Sequence, residues 1–123
     1  MFEIEFGNLA FNCEASEQTL CLVVAGKNEA STINDFIQKA LNRLDESEYY
    51  SEDATAYKRC VFQEAEDADV KWLYQIIEGM NRKVYIDLGE PIKILTGTVT
   101  VFDNAWVVET KEMFYYIFWC TTA

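Results

Sequence analysis

The run TLCLVVAG at residues 19–26 constrains this chain most. Successive residues of a strand point to opposite faces, and here both sets are apolar. Such a strand belongs in the middle of a sheet that is covered on both sides. Its neighbours are amphipathic. FEIEF sets Phe2, Ile4 and Phe6 against Glu3 and Glu5, the period of a half-buried strand. Gly7-Asn8 punctuates it, LAFNCEA follows, and a polar SEQ turn leads into the central run. If Ala15 faces Thr19 across that turn, Cys13 lies opposite Cys21 and Phe11 opposite Val23. Directly opposed strand positions rarely suit a disulfide, so free thiols are expected.

Two helices are expected. In STINDFIQKALNRLDES, Ile33, Phe36, Ile37, Ala40, Leu41 and Leu44 recur at helical spacing, with Ser31 or Thr32 as cap. In EDADVKWLYQIIEGMNRK the stripe is Val70, Leu73, Ile76, Ile77 and Met80. Acids at the start of this second helix and Arg82 and Lys83 at its end complement its dipole. Between the helices, TAYKRCVFQ reads as a strand.

The last forty residues read as strands again. KVYID is short, and Pro91 breaks the chain after it. IKILTGTVTVF, AWVVET and MFYYIFW form a meander with two-residue turns at Asp103-Asn104 and Lys111-Glu112. That register pairs Val101 with Trp106, Val99 with Val108, Val108 with Tyr115 and Trp106 with Ile117, all core with Trp119. The opposite face carries Thr98, Thr100, Val107, Phe114, Tyr116 and Phe118, to be covered by a helix stripe. Left bare, Phe114, Tyr116 and Phe118 would form an interface for a homodimer or a larger assembly. The expected architecture is α+β. A single domain over residues 1–123 has an antiparallel sheet, built from an N-terminal three-strand unit and a C-terminal meander, packed with two amphipathic helices.

Charge narrows the function. The 123 residues carry net −11, and residues 45–69, DESEYYSEDATAYKRCVFQEAEDAD, hold −7 of it. A surface of that sign repels nucleic acids and anionic membranes and attracts basic proteins. The start of the chain, with Glu3, Glu5 and Glu14, lacks the positive charge of a leader, and no apolar run approaches a membrane span. A cytoplasmic location is expected, with reduced cysteines.

The chain has no histidine, which removes histidine acid–base chemistry, Ser-His and Cys-His nucleophiles and histidine metal sites. No phosphate-cradling or calcium-loop spacing occurs, and the four cysteines have no Cys-x-x-Cys pattern. No enzyme activity, cofactor or metal is expected. A carboxylate-based hydrolase would need a concave pocket lined by several acids of raised pKa.

Acids on a surface imitate phosphates, and tyrosines add rigid contact area. The pattern points to a small acidic inhibitor, monomeric or homodimeric, that blocks a basic site on a nuclease, a DNA-binding enzyme or a toxin. An immunity protein or a phage anti-defence protein, such as an anti-CRISPR, has this character. The plainer reading of a charge run is a solvated connecting loop. The candidate contact residues are Glu46, Glu48, Tyr49, Tyr50, Glu52, Asp53 and Tyr57, then Glu64 and Glu66.

Overall fold

A computed structural model describes residues 1–7, 18–47, 50–80 and 86–121, with the backbone alone for Phe2–Gly7 and Met80. The fold is α+β: three helices on a six-stranded antiparallel sheet of order β1-β2-β6-β5-β4-β3. The strands are β1 (Phe2–Gly7), β2 (Gln18–Gly26), β3 (Gln63–Glu64), β4 (Lys93–Gly97), β5 (Asp103–Glu109) and β6 (Met113–Thr121). The helices are α1 (Ile33–Asp45), α2 (Ser51–Tyr57) and α3 (Asp67–Met80).

The doubly apolar strand sits where its composition requires. β2 lies between β1 and β6, and Leu20 through Ala25 are all buried. One face of the sheet presents Cys21, Val23, Ala25, Ala105, Val107, Phe114, Tyr116 and Phe118 to α1 and α2. The other presents Leu20, Leu22, Val24, Trp106, Val108 and Ile117 to α3. Helices on both faces satisfy a strand that has no polar side.

Helix α1 forms as its spacing predicts. Thr32 caps it, its hydroxyl accepting from the Asp35 N–H at 3.0 Å, and Phe36 stacks on Phe114 at 5.1 Å. Helix α3 buries Leu73, Ile76 and Ile77, and Trp72 meets Trp106 and Trp119 edge to face at 5.1 and 5.4 Å. The Trp106 indole N–H donates to the Asp69 carbonyl at 3.1 Å, fixing the start of α3 against β5. Arg82 and Lys83 lie outside the described residues.

Several expectations are corrected. TAYKRCVFQ is not a strand: Ser51–Tyr57 is a helix, and only Gln63–Glu64 joins the sheet. Tyr50, Ala54 and Tyr57 are all buried, at helical and not alternating spacing. Among the described residues there are thus three helices, not two.

The Asp103-Asn104 turn is also wrong. β4 ends at Gly97 and β5 begins at Asp103, so Thr96 faces Trp106 and Ile94 faces Val108. The cause is the Asp103 carboxylate, which accepts from the N–H groups of Val99 and Thr100, each at 3.2 Å, and from the Thr100 hydroxyl at 2.8 Å. Those N–H groups serve a loop and not a ladder. Val99 and Val101 are therefore exposed instead of core. The β5–β6 register stands as expected, with Val108 opposite Tyr115 and Trp106 opposite Ile117.

In the N-terminal unit, Cys21 lies between Glu5 and Phe118, and Val23 between Glu3 and Tyr116. Both sides of each are taken by β1 and β6, and Cys13 and Phe11, expected opposite them, lie outside the described residues. Residues 8–17, where the LAFNCEA strand was expected, lie outside the described residues, as do residues 83–85 of KVYID. Ile86 and Asp87 are not in a strand.

The aromatic sheet face is no interface. Phe114, Tyr116 and Phe118 are at most 2% exposed beneath α1 and α2. The helix stripe covers them, which removes the basis for assembly through that surface.

Candidate functional site

The acidic segment divides into parts that stabilise the fold and parts that face solvent. Tyr50 and Tyr57 belong to the first group. Tyr57 packs edge to face on Phe118 at 5.6 Å, and its hydroxyl donates to Asp103 Oδ1 at 2.6 Å. Burial and that carboxylate raise its pKa, so the phenol stays protonated. Tyr50 also meets Phe118 edge to face, at 6.2 Å. Neither ring is available to a partner, which corrects the expectation for both. Glu48 and Tyr49 lie outside the described residues.

The carboxylates divide as well. Asp45 pairs with Lys58 at 2.7 Å, Glu109 with Lys27 at 2.6 Å and Asp35 with Lys39 at 3.2 Å, and Glu29 meets the N-terminal ammonium. The N-terminal ammonium holds the Glu29 carboxyl and Lys58 the Asp45 carboxyl below their ordinary range, and Asp35 is lowered first by the Ser31 N–H and then by Lys39. Glu46, Glu52, Asp53, Glu64, Glu66, Asp67 and Asp69 have no ion pair among the described residues. All except Asp53 and Asp69 are exposed.

Three of these unpaired acids share a groove of about 530 Å³ at the β3 edge of the sheet. Glu64, Glu66 and Asp69 line it with Arg59, between the end of α2 and the start of α3. Asp69 also has a structural role, accepting from the Glu66 N–H at 3.0 Å as the return half of a capping box. Val61 and Val99 line the same groove and are 75% and 44% exposed. Glu52 stands one turn before Ala56, another lining residue, on α2. Glu46 is the C-cap of α1 and does not line the groove.

Asp53 is a separate case. It is half-buried, and its carboxyl is raised above the usual range by burial and by the charges of Asp103 and Glu52. Cys120, beside the same two aspartates, is pushed up to about 11 by its burial and by them. Cys60 is raised too, mainly by burial. A thiol so shifted is mostly protonated and a poor nucleophile at neutral pH. Cys60 and Cys120 are free thiols, as expected, and Cys13 lies outside the described residues.

Charge density alone picked out Glu64 and Glu66. It missed Arg59, Val61 and Val99 as groove residues. Only the helical spacing of Tyr50, Ala54 and Tyr57 could have shown where the groove opens, by moving the end of α2 to residue 57. Among the described residues no cluster of three potential metal ligands occurs, and no helix is long and apolar enough to cross a membrane. The chain matches no protein-family model, no curated protein and no solved structure.

Proposed function

We propose that this protein is a non-enzymatic inhibitor. It binds a basic site on a nucleic-acid-processing protein and blocks it with carboxylates that stand in for phosphates, as a phage anti-defence or toxin-immunity protein would in the cytoplasm. The observation that supports this reading is the selective absence of counter-charges. The protein neutralises Asp35, Asp45 and Glu109 with its own lysines, yet Glu52, Glu64, Glu66 and Asp67 are exposed and have no ion pair among the described residues. Asp53 strengthens it. Half-buried beside Asp103 and Glu52, its carboxylate costs the fold stability, and such a cost is commonly retained for function. Carboxylates so arranged speed encounter with a cationic partner and make binding depend on salt.

The test is capture from a host lysate with tagged protein at low and moderate salt. It is followed by titration of the recovered protein's activity on nucleic acid. A basic enzyme inhibited near 1:1, with capture lost in a Glu52→Lys/Glu66→Lys variant that keeps its melting temperature, is the expected result. Capture indifferent to salt and to those reversals, or a recovered enzyme that stays active, rejects the reading.

A further inference from the structure

The sheet has an edge at β3, and among the described residues no strand pairs with its outer side. β3 contributes only two residues to the ladder, Gln63 opposite Thr96 and Glu64 opposite Leu95. The Ala65 N–H donates to the Ile94 carbonyl at 2.9 Å. Antiparallel strands alternate inward and outward bonding groups, so the Glu64 N–H and C=O point away from β4. Among the described residues the N–H groups of Val61, Phe62 and Glu64 meet no protein acceptor. Edges of this kind are templates for another strand.

We infer that the β3 edge takes an extended lysine- or arginine-bearing segment of the partner as a seventh antiparallel strand. This deepens the reading above and rests on it. The groove selects that occupant. It holds three carboxylates against one guanidinium, so a cationic segment is attracted and an acidic one repelled. Val61 and Val99, exposed within it, offer apolar surface to the methylene stems of lysine or arginine. Backbone bonds from Glu64 fix the register, and Glu64, Glu66 and Asp69 then meet alternate side chains of the incoming strand.

The probe is an eight-residue capped peptide of alternating lysine and threonine. It is titrated into the ¹⁵N-labelled full chain and compared with a twin N-methylated at alternate backbone positions. Shifts gather at residues 61–66, and the methylated twin binds at least about fivefold more weakly for each hydrogen bond lost. Two variants separate charge from backbone. Glu64→Gln removes the carboxylate and weakens binding roughly two- to fivefold. Glu64→Pro removes the outward N–H as well, at an edge position where proline is tolerated, and weakens binding about fivefold further.

Equal binding of both variants, equal binding of the methylated twin, or shifts centred on Glu46 and Glu52 overturns the inference. If Glu64→Pro fails to fold, the methylated peptide decides alone. Failure of the two proposals is distinguishable. Lysate capture that is salt-sensitive but indifferent to Glu64→Pro leaves the inhibitor reading and removes the strand. Peptide binding at residues 61–66 with no inhibited enzyme does the reverse.

Discussion

Tyr57→Phe tests whether the acidic segment's tyrosines are struts of the fold or contacts for a partner. The substitution keeps the ring that packs on Phe118 and Phe62 and removes only the hydroxyl. That hydroxyl donates to Asp103 Oδ1 at 2.6 Å, and Asp103 in turn holds the 98–102 loop through Val99 and Thr100. A hydrogen bond to a charged acceptor contributes about 1.5–3 kcal/mol. Asp103 keeps its three other donors in the variant, which puts the loss near the lower half of that range, at about 1.5–2 kcal/mol. With a urea slope of about 1.5–2 kcal/mol/M, the midpoint falls by roughly 1 M. Urea unfolding followed by tryptophan fluorescence measures it. The control is Tyr116→Phe. The Tyr116 hydroxyl is buried and has no protein partner, so its removal is neutral or stabilising by up to about 1 kcal/mol. Two results would refute the reasoning: a Tyr57→Phe midpoint within about 0.2 M of the parent's, or partner capture lost while the midpoint holds.

Asp53→Asn follows from linkage. A raised carboxyl pKa means the folded state holds its proton more tightly, so stability falls as pH rises above the ordinary value of 3.8. The variant is therefore more stable than the parent at pH 7, with the difference gone near pH 3; equal stability at pH 7 contradicts the assignment. Phe118→Asp buries a charge at a site 2% exposed and unfolds the protein. A folded Phe118→Asp protein by circular dichroism would reopen the sheet face as an interface. Gly97→Ala places a methyl 2.8 Å from the Cys60 sulfur and 3.1 Å from the Phe62 ring, and costs about 1–3 kcal/mol in thermal or chemical denaturation.

Some of this molecule is legible in its sequence. α1 is written in the apolar stripe of Phe36, Ile37, Ala40, Leu41 and Leu44, and α3 in that of Leu73, Ile76 and Ile77, each at helical spacing. The β5–β6 register is legible because the short Lys111-Glu112 turn joins two apolar runs and so fixes which residues pair. The β4–β5 loop is not. TGTVTVF alternates like a strand, and only the Asp103 carboxylate, which takes two backbone N–H groups, turns it into a loop. α2 is hidden for a related reason: Tyr50, Ala54 and Tyr57 show their helical spacing only when no strand pattern is imposed on TAYKRC. The candidate site is legible as acids and illegible as a place. Glu64 and Glu66 stand out by charge, but the groove needs β3 at the sheet edge, and strand order is a long-range property that no local pattern encodes.

The seam between β2 and β6 joins residues 18–26 to residues 113–121. Every other pairing in the sheet is closer in sequence. A ribosome therefore releases Leu20 to Ala25, greasy on two sides, long before the strand that shields one flank of them exists. The nascent chain must keep that stretch from sticking to itself or to its neighbours throughout. Closure across so wide a loop is slow compared with helix formation, since loop entropy is lost before the contacts repay it. The concentrated negative charge acts during that interval, because like-charged unfinished chains repel one another.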